Sequence, residues 1–317
     1  MTTRIALLDD YQGVALSMAD WSRLSDCEVV SFERNLGSED ARVAALAEFD
    51  VVMALRERMA LPRSVLERLP RLKLIVTAGM RNASIDMAAA KARGVVVCGT
   101  GGLPYPTAEL TFGLMLGLAR DIPAQQQALR EGRWQTSAGV GLNGKTLGVL
   151  GLGTLGSRVA RIARAFEMNV IAWSRNLTDE RAADAGARRV ELDDLLRTAD
   201  FVTIHLVLSD RTRGLVGARE LALMKPTAYL INTSRSPIID EPALIAALEA
   251  GRIAGAGLDV YNQEPLAADA PIVKAPRTLL TPHLGYSTVE TYRVFYGQAL
   301  EDIEAWLAGT PVRVLEA

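Results

Sequence analysis

Thr146-Leu147-Gly148-Val149-Leu150-Gly151-Leu152-Gly153-Thr154-Leu155-Gly156 is the stretch that decides the fold. Its first five residues read as a buried strand, and Leu155–Phe166 reads as a helix. Between them stands G-x-G-x-x-G, in the strand–turn–helix order that a dinucleotide pyrophosphate requires. Gly151 permits the tight turn, Gly153 lets the backbone approach the phosphates, and Gly156 lets the helix pack close to the sheet. The helix start supplies N–H donors and a positive partial charge.

Outward from this turn the chain alternates short β-rich runs with helical ones. Strands are expected at Ile5–Leu8, Val29–Phe32, Val51–Ala54, Leu74–Thr77 and Val95–Cys98. A second series is expected at Leu147–Leu150, Val170–Trp173, Phe201–His205, Ala228–Asn232, Gly257–Val260 and Leu279–Thr281. Such alternation predicts parallel sheets with helices on both faces. The apolar run Leu110–Ala119 is too short for a membrane span, which needs ~18 residues or more, and reads as a buried helix. For the final helix, Ser287 and Glu290 have capping-box spacing, and Gly309 stands where a terminating glycine belongs.

At 317 residues the chain has room for two domains of roughly 150 residues each. Hydrophobic residues make up 49% and charged residues 23%, which excludes a disordered or collagen-like chain. A formal charge of −2 argues against a protein that coats nucleic acid or an anionic membrane. Cys27 and Cys98 show neither metal-ligand nor disulfide spacing, so free thiols, a cytoplasmic location and no metal site are expected. The run ending at Asp9 and Asp10 is too short for a signal-peptide core.

The end of the strand after the glycine turn reads Ala172-Trp173-Ser174-Arg175-Asn176. A carboxylate there would hydrogen-bond the ribose of NAD. None is present, Ser174 takes its place, and Arg175 could bind a 2′-phosphate. The expectation is therefore NADP(H), with NAD(H) as the alternative.

Three further motifs follow in order: Asn232-Thr233-Ser234-Arg235, then Gly257-Leu258-Asp259-Val260 leading to Gln263-Glu264-Pro265, then Thr281-Pro282-His283-Leu284-Gly285. With the glycine turn, this order resembles the D-isomer-specific 2-hydroxyacid dehydrogenases over essentially the whole chain. The resemblance implies two Rossmann-like or flavodoxin-like parallel-sheet α/β domains. Residues 1–100 and 287–317 would form a split substrate domain, and residues 101–286 an inserted NAD(P)-binding domain. It also implies a homodimer formed through the cofactor domain.

By the same resemblance Arg235 binds substrate, His283 is the general acid/base and Glu264 its acidic partner. Asp259 holds the nicotinamide carboxamide, and Thr107 contacts the cofactor. The remaining implied cofactor contacts are Gly151, Gly153, Thr154, Leu155, Gly156, Ser174, Arg175, His205, Leu206, Thr233 and Gly285. His205 lies in the stretch that resembles the strand bordering the adenine, and is itself read as structural. The loop Ala78-Gly79-Met80-Arg81 holds the substrate carboxylate on backbone N–H groups, and Tyr286 adds a pocket wall.

The chemistry asks for these residue types independently. A 2-keto acid receiving hydride becomes an alkoxide that needs a proton, which an imidazolium can deliver. A carboxylate stabilises that imidazolium, and a guanidinium holds a carboxylate while polarising a keto oxygen. Arg81, Ser236, Tyr286 and Val207 depart from the family's usual residues at their positions. Arg81 in particular suggests polar or dicarboxylate substrates. The expected activity is reduction of a 2-keto acid such as glyoxylate or hydroxypyruvate. The alternatives are a non-catalytic NAD(H)-responsive binding protein on the same scaffold, and a related dehydrogenase of formate or phosphite.

Overall fold

The computed structural model describes residues 2–316. The chain divides into two compact units. One comprises the residues through Leu103 together with those from Ser287 onward, and the other is Pro104–Tyr286.

The first unit holds five parallel strands: β1 (Thr3–Leu7), β2 (Cys27–Ser31), β3 (Val51–Ala54), β4 (Leu74–Thr77) and β5 (Val96–Gly99). They are ordered β2-β1-β3-β4-β5. β3 and β4 are buried along their whole length, which is why they read as uninterrupted apolar runs rather than alternating ones. The helices Glu39–Leu46, Arg63–Leu66 and Met87–Ala92 bridge the successive steps from β2 to β5.

The long helix Val289–Leu307 belongs to this unit and buries Tyr292, Phe295, Tyr296, Ala299, Leu300 and Ile303 at helical spacing. Its start corrects an expectation, because Ser287 and Glu290 do not form a capping box. Thr288 is the cap, and its hydroxyl accepts the Thr291 amide at 3.2 Å. The residue three on from that cap is Thr291, not an acid. The Ser287 hydroxyl instead pairs with the Tyr292 hydroxyl at 2.7 Å. Gly309 does end the helix, with φ +78° just past it.

The second unit holds seven parallel strands: β6 (Thr146–Leu150), β7 (Asn169–Trp173), β8 (Arg188–Arg189), β9 (Phe201–Ile204), β10 (Tyr229–Asn232), β11 (Gly255–Leu258) and β12 (Thr278–Leu280). Their order is β12-β11-β10-β9-β6-β7-β8. The chain therefore moves outward from β6 to β8, then returns to lay β9 on the other side of β6. That reversal makes a crevice at the carboxyl ends of β6 and β9, where open α/β sheets bind ligands.

The helix Pro106–Ala119 buries Ala108, Phe112, Leu114, Met115 and Ala119, as its apolar composition predicts. Among the described residues no helix is long and apolar enough to cross a membrane. β11 starts two residues before its expected position, because the small residues Gly255 and Ala256 pair with β10 despite weak strand propensity.

Candidate active site

The glycine turn follows β6, and each glycine has a distinct reason to be there. Gly151 sits at φ +99°, and a Cβ on it would come 2.6 Å from the His205 carbonyl oxygen. A Cβ on Gly156 would run into the Gly151 carbonyl. Around Gly153 a Cβ would meet nothing within 4 Å, so this face of the turn is open. The helix Thr154–Ala165 starts at once, and its first amides have no intrahelical acceptor. The turn thus offers open space beside free helical N–H groups, which fits a pyrophosphate.

Ser174, just past β7, accepts the Leu152 amide at 2.9 Å and so fixes the turn. Arg175 is exposed beside it. Past β9, the His205 Nε2 lies 2.9 Å from the Thr203 hydroxyl. Its Nδ1 is sealed from solvent with no hydrogen-bond partner among the described residues. Burial pulls this imidazole down to about 3, so the ring is neutral at ordinary pH. The Leu206 carbonyl accepts the Ser234 hydroxyl at 2.8 Å.

The second cluster gathers at the carboxyl ends of β10, β11 and β12. His283 Nδ1 and Glu264 Oε2 are 2.6 Å apart. The other Glu264 oxygen accepts the Tyr261 amide at 3.0 Å, which fixes the carboxylate. His283 itself adopts φ +54°, a left-handed conformation that costs energy in a residue with a Cβ.

Asp259 holds that turn in place. It is fully buried. Its Oδ1 accepts the Thr281 hydroxyl at 2.6 Å and the Leu284 amide at 2.7 Å, while Oδ2 accepts the Gly285 amide at 2.8 Å. Burial raises the Asp259 carboxyl, and these hydrogen bonds and His283 oppose the rise. The chain of bonds continues, because the Thr107 hydroxyl donates to the Gly285 carbonyl at 2.9 Å. Thr111 then donates to the Thr107 carbonyl at 2.8 Å and lies 3.1 Å from the buried Thr233 hydroxyl.

The Tyr286 ring stands edge-on to His283, with centroids 5.4 Å apart. Arg235 follows β10, next to the strand β11 that Asp259 follows, and its Nη1 donates to the Ser234 carbonyl at 2.8 Å. Asn232 braces the same turn by donating to the Arg235 carbonyl at 3.0 Å. Tyr261 and Thr111 were absent from the sequence expectations, and Thr281 was named there as part of a motif but given no role. Their roles rest on contacts between separate strands and helices, which no local spacing reveals.

In the other unit the loop after β4 is tightly bonded. The Ala78 amide donates to the Ala54 carbonyl at 2.9 Å, and the Gly79 amide to the Thr100 hydroxyl at 3.0 Å. Of the four residues expected to present amides to a carboxylate, these two are already committed. Met80 and Arg81 are exposed. Among the described residues no group of His, Cys, Asp and Glu could hold a metal ion.

Residues 112–285 match the NAD-binding domain of the D-isomer specific 2-hydroxyacid dehydrogenases. The chain belongs to that family. Its fold is two parallel-sheet α/β domains, and its larger sheet is a nicotinamide-cofactor domain. The chain is 36% identical over 279 residues to a D-3-phosphoglycerate dehydrogenase of Archaeoglobus fulgidus, covering 87% of this chain and 53% of that protein. It is 40% identical over 255 residues to a glyoxylate reductase of Aeropyrum pernix, covering 77% and 76%. A phosphoglycerate oxidoreductase of Vibrio cholerae superimposes with a TM-score of 0.93 at 32% identity, covering 97% and 100%. The chain spans about half the length of the D-3-phosphoglycerate dehydrogenases it matches.

Proposed function

We propose that this family member reduces 2-keto acids to D-2-hydroxy acids with a nicotinamide cofactor. The observation that carries the reading is the 2.6 Å His283–Glu264 pair, held in a left-handed turn by Asp259. A reduced nicotinamide, when bound, would supply the hydride. His283, braced by Glu264 through Nδ1, presents Nε2 as the proton donor to the forming alkoxide. Arg235 binds the substrate carboxylate and polarises the keto oxygen. The amides of Met80 and Arg81, in the unit we take as the substrate domain, are the carboxylate donors left in their loop. The amides of Gly153, Thr154 and Leu155 would receive the pyrophosphate, and Gly285 and Thr107 would line the cofactor.

Three finer points belong to this reading. Arg175 and the missing carboxylate after β7 favour NADPH over NADH. The apolar side chains Ile122, Leu129 and Trp134, exposed by 52%, 59% and 76%, suit a dimer formed through the cofactor unit. Free cysteines at 27 and 98 suit the cytoplasm.

The test is consumption of NADPH and of NADH with glyoxylate, hydroxypyruvate, oxaloacetate and 2-ketoisocaproate, with formate and phosphite as oxidation controls. Turnover of keto acids, faster with NADPH, is expected. Oxidation of formate or phosphite alone would replace this reading. For the assembly, Trp134→Ala is expected to shift the sedimentation coefficient toward a monomer, and an unchanged coefficient would move the interface elsewhere.

A further inference from the structure

In the five-stranded sheet the chain leaves β1 on one side for β2, then places β3 on the other side. Open parallel sheets of this order bind ligands where the direction changes, at the carboxyl ends of those two central strands. Both ends are unusual here. Asp9 stands two residues past β1 and Arg56 two residues past β3, with φ +58° and +60°. Residues with a Cβ rarely enter this region, and strained positions of this kind gather at functional sites.

Asp9 carries a second cost. It is fully buried, and its Oδ1 accepts the Tyr11 hydroxyl at 3.0 Å. Its Oδ2 is sealed from solvent with no hydrogen-bond partner among the described residues. Burial pushes this carboxyl up to about 6, while Tyr11, Arg58, Asn35 and Arg42 oppose the rise. The neighbouring Asp10 is different. Its oxygens accept the Val14 and Ala15 amides and the Ser31 hydroxyl, each within 2.9 Å, so its burial is explained by the turn it closes. Asp9 closes no such turn, and the side chains of Tyr11 and Asn35 are what bond its carboxyl.

The surroundings of Asp9 are polar and reach the surface. Arg58 donates to the Asp9 carbonyl at 3.2 Å, and its guanidinium lies 5.1 Å from the Tyr11 ring centre. Tyr11 is 38% exposed. Arg56 ties this edge to the loop after β4, with Nη1 3.4 Å from the Ala78 carbonyl and its own carbonyl accepting Asn82 Nδ2 at 2.7 Å.

We propose that the carboxyl ends of β1 and β3 form a subsite for the tail of a 2-keto acid held at the Met80 and Arg81 amides, with the Asp9 carboxylate accepting a hydroxyl of that tail in place of the Tyr11 hydroxyl. The inference rests on the reductase reading above. β1 and β4 are two strand spacings apart, about 10 Å, which a chain of roughly six carbons spans and glyoxylate does not. Arg56 and Arg58 repel an ammonium group. A hydroxyl suits the site better, because it can donate to Asp9 and accept from a guanidinium. The substrate class is thus a 2-keto acid with a hydroxylated tail, a 2-keto aldonic acid. Tyr11 is the side chain that such a tail displaces from Asp9.

The test measures kcat/KM for 2-keto-D-gluconate and 2-ketohexanoate, which have equal carbon number, in the full chain with either cofactor. Alongside it, calorimetry measures binding of D-gluconate and 2-hydroxyhexanoate to the protein without cofactor. The hydroxylated member of each pair is expected to be favoured by about tenfold or more. Asp9→Asn should reduce that preference by about tenfold. Tyr11→Phe should raise it, by removing the donor that competes for the same carboxylate. Tyr11 reaches the surface, so this second variant keeps the test alive if Asp9→Asn fails to fold. A preference that neither substitution moves overturns the subsite. If no 2-keto acid is reduced at all, the reductase reading fails, and the calorimetry with the same variants decides the subsite by itself.

Discussion

The two sheets solve the same problem with different residues. In each, the chain reverses direction beside the first strand laid down, and in each a sharp backbone follows that strand. At the β6/β9 end the left-handed position is Gly151, packed against the His205 carbonyl. At the β1/β3 end the left-handed positions are Asp9 and Arg56. A glycine there serves a ligand that the backbone itself must approach. A charged residue there keeps its side chain at the site and accepts the strain. The first arrangement leaves a motif in the sequence, and the second leaves none.

The largest expected effect on cofactor binding separates two glycines that share a conformation. Gly151 and Gly79 have φ of +99° and +96°. An alanine at either pays roughly 1–2 kcal/mol for the backbone alone. At Gly151 the new Cβ also meets a backbone carbonyl that cannot move away. At Gly79 it meets the Arg56 guanidinium, the end of a flexible side chain. Gly151→Ala should therefore weaken cofactor binding by about a hundredfold, a loss of roughly 3 kcal/mol. Gly79→Ala should leave cofactor binding within about threefold. Fluorescence titration of the two variants checks this, and equal losses would remove the distinction.

Next in size is cofactor choice. Ser174→Asp with Arg175→Ala should shift the NADPH/NADH ratio of kcat/KM toward NADH by roughly ten- to a hundredfold, the worth of one charge-assisted phosphate contact. A wild-type protein that already strongly favours NADH would contradict the reading of Arg175.

A third effect is on stability, and its sign differs between the two ends. The Asp9 carboxyl is raised from 3.8 to about 6, so its neutral form is the one the fold accepts. Stability from this group is full below its ordinary value and is lost as pH rises through about 6. His205 is lowered from 6.5 to about 3, so the fold rejects its proton. Its contribution is present above 6.5 and is lost as pH falls toward 3. Asp9→Asn should accordingly gain on the wild type as pH rises from about 4 to 7, by up to about 3 kcal/mol. His205→Gln should gain as pH falls below 6.5. Denaturant melts across pH read both, and parallel trends for the two variants would rule out these opposite environments.

The alternation of strands and helices was legible because the central strands are buried on both faces and written in uninterrupted apolar residues. The glycine turn was legible because its three glycines answer to local sterics. Arg235, Glu264 and His283 stood out only as an ordered set of motifs. What brings Glu264 onto His283 is the neighbouring placement of β11 and β12, which is a property of the sheet. Short elements such as Ile122–Arg130 and Asp179–Asp184 were missed. The first starts from Asp121 in a left-handed conformation, φ +51°, with no side-chain cap, so it lacks the usual start signal. The Ser287 reading failed by one residue, since adjacent hydroxyls at 287 and 288 offer two starts and only the backbone chooses Thr288. Asp9 looked like the polar end of a strand, and only the sheet order shows that it lies where the chain reverses.

The central claim is that His283 delivers the proton while the glycine turn independently holds the cofactor. His283→Ala, assayed for keto-acid reduction and for nicotinamide binding in parallel, tests it most directly. Turnover should fall by roughly 10²–10⁴-fold, with the dissociation constant for the cofactor changed by less than about threefold. Undiminished turnover, or a loss of cofactor binding that accounts for the whole decline, would contradict the account.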